Sequence, residues 1–187
     1  MRKKDDDKQQ RIKVSVTELM LEEGWSGTSI AKIAHRAGVS PATVYTYFDN
    51  KEDMLQCIYR EYADDIFRYM LSKVNASMQG PQIIDTLMRS FYQYLTDNEE
   101  SFSFVMQFSN CKAMSQSCPL ENSMKGVRQL LDEMKDRQMI RSYSDESLAA
   151  VIFTPVKALA YKENLSSDRK SQLLDEVIEM VQTALLR

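Results

Sequence analysis

Residues 28–55 read TSIAKIAHRAGVSPATVYTYFDNKEDML, and the order of polar starts, apolar stripes and breaks in that stretch decides the fold. Ser29 is placed to cap a helix, its oxygen accepting from the free N–H groups of a first turn. Ile30, Ile33, Ala34 and Ala37 follow at i, i+3, i+4 and i+7, one face of a short helix, and Gly38 breaks it. Ser40 followed by Pro41 starts a helix again, because Pro at the first helical position gives up no hydrogen bond. Val44 and Phe48, four apart, face inward from this third helix and leave Ala42, Thr43, Thr46 and Tyr47 nearer the outside. Asp49-Asn50 makes a turn, and a long fourth helix begins near Lys51 with Leu55, Ile58, Tyr62, Ile66 and Tyr69 on one face. Upstream, Ile12, Val16, Leu19 and Met20 keep helical spacing as far as Gly24, a residue suited to a left-handed helix end.

A short third helix held by a second one that crosses the phosphate backbone is the arrangement that reads a major groove, so residues 29–48 form a helix-turn-helix. Backbone N–H groups at the helix starts, with the hydroxyls of Ser29, Ser40, Thr43 and Tyr45, suit phosphate oxygens and fix register. Pro41, Ala42 and Thr46 offer apolar or single-hydroxyl contacts to bases, and Tyr47 offers a ring or a phenol. The third helix holds no Arg, Asn or Gln. Bidentate base reading is therefore missing from it, Lys32 of the second helix is the cationic candidate, and readout of DNA shape carries more of the specificity. His35 reads as a surface or packing residue of the second helix. The basic residues before Lys13 either track phosphate or form a solvated tail.

The stretch resembles the TetR family of bacterial transcriptional regulators. The likeness lies in a hydroxyl residue opening the second helix, the pair Ile33-Ala34, then Ala37-Gly38-Val39-Ser40, Thr43-Val44-Tyr45, Tyr47-Phe48 and Asn50-Lys51-Glu52. It covers about residues 10–60. The resemblance implies an all-α homodimer of about nine helices per chain, with a DNA-binding domain at 1–50 and a regulatory and dimerisation domain at 51–187. It implies that Tyr45, Tyr47 and Lys51 touch a palindromic double-stranded operator. Replacing Lys51 by Ala is then expected to lower affinity and its salt dependence while leaving base preference alone. It also implies an effector pocket under the fourth helix, and the output expected is repression relieved by a small apolar or aromatic molecule. Control by a protein partner, or by oxidation of Cys111 and Cys118, is the alternative.

Beyond residue 55 the pattern stays helical. Gly80-Pro81 opens a helix striped by Ile84, Leu87, Phe91, Tyr94 and Leu95; Asp97-Asn98 divides it from a shorter one; another starts around Cys118-Pro119; Ser144 or Asp145 caps the next, and Asp168 lies near the start of the last. Residues 148–160 and 173–186 are apolar over more than one face. Pairing them with their copies gives a four-helix subunit interface, for which Ile152, Val156, Leu159, Leu174, Ile178 and Val181 are the candidates. Pro155 is expected to kink or unwind its helix. Tyr62, Tyr69, Phe91, Phe104, Met106, Met124 and Phe153 are the candidate pocket lining, Met being adaptable and aromatic faces suiting flat or cationic molecules. Tyr92, Phe102, Phe108 and Met114 belong to the same wider set.

Composition bounds the function from outside. In 187 residues, 43% apolar and 27% charged, five Gly and four Pro are too few for a loop-rich β architecture. The net charge of −3 lies outside the head, since residues 1–55 hold nine cations and nine anions. No run of about 18 apolar residues is present, and Met1-Arg2-Lys3-Lys4 lacks the apolar core of a signal peptide, so a bacterial cytoplasmic protein without membrane partners is expected. Three cysteines without a CxxC and a single histidine leave neither a disulfide framework nor a metal site in prospect. No cofactor is expected, and the scarcity of clustered catalytic groups argues against an enzyme.

Overall fold

Serine oxygens begin four of the helices. Ser29 accepts the Lys32 N–H at 3.3 Å, Ser40 that of Thr43 at 3.2 Å, Ser144 that of Ser147 at 3.2 Å and Ser166 that of Arg169 at 3.3 Å. The computed structural model describes residues 2–108 and 124–187, with side chains from Asp7 onward. Among the described residues are nine helices and no strand: α1 Arg2–Gly27, α2 Ile30–Ala37, α3 Pro41–Val44, α4 Lys51–Ser72, α5 Gly80–Asp97, α6 Glu99–Phe108, α7 Lys125–Asp136, α8 Asp145–Ala160 and α9 Ser167–Leu185. The helix start expected near Cys118-Pro119 lies outside the described residues.

Two glycines do the breaking that the sequence assigns them. Gly24 interrupts α1 at φ +69°, and Gly38 ends α2 at φ +65°, its N–H reaching the His35 carbonyl. The residues before Lys13 are helical. Their backbone continues α1 back to Arg2, as a run of Lys, Gln and Arg preceded by three aspartates near the helix start favours.

The chain divides into two compact units, Met1–Ala63 with Glu99–Leu120 and Asp64–Asn98 with Glu121–Arg187, and α4 contributes to both. In the first unit Ile12, Val16, Leu19 and Met20 of α1 pack with Ile33, Ala34 and Ala37 of α2, Val44 and Phe48, the start of α4, and Phe104, Val105 and Phe108 of α6. Lys13 is buried in the same unit, its side chain only 8% exposed, because Glu61 takes its ammonium at 2.6 Å and the Tyr62 ring lies 4.2 Å away.

In the second unit α5, α8 and α9 pack on one another. Phe91 meets Phe153 edge to face at 5.3 Å, and Arg89 joins Asp85 to Asp175 across α5 and α9. Gly80 is more than punctuation here: a Cβ on it would stand 2.9 Å from Leu186 Cδ2, so the missing side chain admits the chain's end. That end is stitched by the Arg141 N–H to the Leu185 carbonyl at 2.9 Å and by an isolated bridge between Ile140 and Leu186.

Ile152, Val156, Leu159, Leu174, Ile178 and Val181, the residues read as a subunit interface, are buried within the chain itself. The breadth of the apolar surface was readable, but its larger members turn inward. Val151, Thr154, Ala158 and Tyr161 of α8 and the following turn, with Met180 and Ala184 of α9, are left outside. Of the kink or unwinding expected at Pro155, unwinding does not occur, and α8 runs through it to Ala160 with Ile152, Phe153, Val156 and Leu159 buried on either side.

Candidate nucleic-acid interface

The surface that could meet DNA is built on an apolar anchor. Val44 and Phe48 are buried in the head, which turns the other side of α3 outward and exposes Pro41, Ala42, Tyr45 and Thr46. Tyr45 is 56% exposed, whereas Tyr47 is half-buried against the head core beside Phe48, at 6.5 Å between ring centroids. Of the two tyrosines it is thus Tyr45 that stands clear of the protein. Thr46 donates its hydroxyl to the Ala42 carbonyl at 3.1 Å, which leaves its methyl group and an oxygen that can only accept. Ser40 and Thr43 share a hydroxyl–hydroxyl bond of 2.9 Å at the helix start, and Ser29 is exposed at the start of α2.

The cations are paired within the head. The exposed Lys32 has its ammonium 2.5 Å from a Glu23 oxygen and donates to the Gly27 carbonyl at 2.8 Å. Lys51 donates to the carbonyls of Trp25 and Thr28, the latter at 2.6 Å, and sits 4.0 Å from the centre of the Trp25 ring. Burial among these groups draws its ammonium below the ordinary lysine range. Arg36 is held by Glu22 at 2.7 Å and Glu18 at 3.7 Å, the Glu22 carboxylate raising its pKa further. Arg11 donates to the Ala37 carbonyl at 2.9 Å, where α2 ends. His35 is exposed on α2, the surface position expected for it.

Residues 17–58 match the family described as bacterial regulatory proteins, tetR family. Along most of its length the chain is similar to the biofilm operon icaADBC HTH-type negative transcriptional regulator IcaR of Staphylococcus aureus (strain Newman), 26% identical over 176 residues, 87% of this chain and 91% of the relative. Its head is of the TetR type. The fatty acid metabolism regulator protein of Bacillus subtilis is a second TetR-type relative, 23% identical over 164 residues, 76% of this chain and 82% of the other. The fold agrees with a TetR family transcription regulator from Marinobacter aquaeolei at a TM-score of 0.84 and 21% identity, over 100% of this chain and 99% of that one. The TetR-family head makes the protein a DNA-binding transcriptional regulator.

Sequence reasoning gave the candidate contact residues but missed the groups that hold them. Glu23, just before Gly24, and Trp25, just after it, carry no motif of their own, and Arg11 reads only as charge. The single tryptophan beside a helix break was the one available signal for Trp25. The pocket candidates divide between the units. Tyr62 and Phe104 are core of the first, meeting edge to face at 5.7 Å, with Tyr62 bonded to Thr17 at 2.8 Å; Met106 is also in that unit. Tyr69, Phe91, Met124 and Phe153 belong to the second, Tyr69 lying against Tyr94 at 5.4 Å. Cys111, Cys118 and Met114 lie outside the described residues.

Proposed function

We propose that the protein is a homodimeric repressor that binds a palindromic operator and leaves it when a small apolar or aromatic molecule occupies its helical body. The observation that carries this is the outward face of α3: Ala42, Tyr45 and the Thr46 methyl project from a helix start capped by Ser40 and anchored by Val44 and Phe48. Ala42 and Thr46 suit thymine methyl groups, Tyr45 reaches phosphate or base, and Ser29, Ser40, Thr43 and the free N–H groups of α2 hold the backbone. Pro41 and the half-buried Tyr47 complete the face.

The dimer surface moves to the outer sides of α8 and α9. Met180 is 61% exposed, and Val151 and Tyr161 are exposed large apolar groups of the same unit, flanked by Ala158 and Ala184, which permit close approach. Repression agrees with a similar protein named a negative transcriptional regulator. Names referring to fatty acid metabolism and degradation among similar proteins make acyl compounds the first effectors to test. Tyr69, Phe91, Met124 and Phe153 are the proposed lining within the second unit. A ligand releases DNA only if it favours one head spacing over the other, since equal affinity for both shifts nothing. The proposed place of action is the bacterial cytoplasm; among the described residues no helix is long and apolar enough to cross a membrane.

Selection of bound duplexes from a random pool tests the reading. Palindromes with half-sites about 10 base pairs apart, or a multiple, are expected. Failure to enrich any sequence overturns it. A screen of acyl-thioesters and free fatty acids against the selected duplex then tests the effector class.

A further inference from the structure

We propose that Glu23 is a tethered competitor of DNA, its carboxylate holding the Lys32 ammonium at the start of α2 and giving way when phosphate arrives. The inference deepens the DNA-binding reading and rests on it. Lys32 lies in the first turn of α2, three residues past the Ser29 cap, and side chains on a helix lean toward its N-terminus. Its ammonium follows that lean back past the helix start, donating to the Gly27 carbonyl at 2.8 Å and standing 2.5 Å from the Glu23 carboxylate. A carboxylate of the chain is thus anchored near the start of α2, the end at which free N–H groups and the helix dipole favour an anion. DNA brings phosphate to the same end.

The pair is built to exchange. The Lys32 side chain is 52% exposed and that of Glu23 35%, so water screens their attraction and a second anion can take the cation. Phosphate gains Lys32 only by displacing a carboxylate that stays tethered close by and repels it. Glu22, one residue earlier, supplies the comparison: it carries the same charge but holds Arg36, in the last turn of α2, at 2.7 Å. Its carboxylate therefore serves the opposite end of the helix, away from the Ser29 cap.

Charge removal at constant shape tests the competition. With the full-length protein and a duplex carrying the selected palindrome, Glu23→Gln is expected to bind about fivefold tighter at low salt, the upper range for an exposed ion pair. The gain should fade as salt rises, the slope of log affinity against log salt steepening by about 0.9 at most, the contribution of one further neutralised phosphate. Glu22→Gln should give less than half that gain. In a chain that already carries Lys32→Met, Glu23→Gln should add little, because the cation in dispute is gone. Unchanged affinity in Glu23→Gln, an equal gain from Glu22→Gln, or the same gain without Lys32 each overturns the proposal. Heparin, a sulfated polyanion without bases, asks the same of the pair in the absence of an operator. Glu23→Gln should leave a heparin column at higher salt than Glu22→Gln, and equal elution rejects the competition. Later elution in a protein that selects no duplex would sink the regulator reading alone.

Discussion

At the scale of single residues, the proposed reading of bases rests on the apolar groups of α3. Because the Thr46 hydroxyl is committed to the Ala42 carbonyl, Thr46→Val should hold operator affinity, while Thr46→Ser, which lacks the methyl, should cost about 0.8 kcal/mol in a duplex titration. The reverse ranking would make Thr46 a hydroxyl contact. Cys57 illustrates the opposite case, a reactive group made quiet. Burial, and then the neighbouring Asp53 carboxylate at 3.6 Å, push its thiol pKa up, so less thiolate is present at a given pH. In a chain with Cys111 and Cys118 replaced by Ser, iodoacetamide should label Cys57 more slowly than free cysteine at mildly alkaline pH. Asp53→Asn should speed the reaction, and labelling as fast as free cysteine would contradict the shift. What the sequence made legible at this scale was local. The Ser29 and Ser40 caps act within three residues, whereas the Lys51–Trp25 and Arg11–Ala37 contacts each join positions 26 apart, and nothing in either residue type names the carbonyl it will find.

At the scale of elements, the head depends on short helices that cannot stand alone. α3 has only four residues, too few to hold itself by intrahelical hydrogen bonds, so its cap and its anchor carry it. Ser40→Ala should therefore lower stability by about 1 kcal/mol in urea unfolding, and Ser40→Asp should restore most of it. Gly38→Ala places a side chain at φ +65°, with its Cβ 3.4 Å from Arg11 Nη1, and should cost about 1 kcal/mol or more; a neutral result would show that the α2 end relaxes. Helix starts were legible because cap chemistry is written in adjacent residues. The face each long helix buries was less so. In α8 and α9 apolar residues occupy more than one side, and periodicity alone could not tell that Ile152, Val156, Ile178 and Val181 go inward while Val151 and Met180 stay out. Only the packing of α5 against both decides it.

For the whole molecule, that division of faces predicts two different failures. Met180→Glu should leave the chain folded and shift it toward monomer in sedimentation, with operator affinity falling because two half-sites are no longer held together. Ile178→Glu, two residues away but buried, should destabilise the subunit itself by several kcal/mol, about the penalty of an unpaired buried charge. If Met180→Glu remains a dimer, the outer faces of α8 and α9 are not the interface. The self-paired cations of the head reach further still. Lys13, Lys32 and Arg36 are ion-paired to carboxylates of their own unit, and the attraction of a regulator to random chromosomal DNA comes almost entirely from free cations. Fewer copies are then stored on the chromosome at large, which a gel shift against scrambled duplex reads directly. The operator competes with a smaller reservoir, and a cell can keep it occupied with a low copy number and clear it quickly when the signal comes.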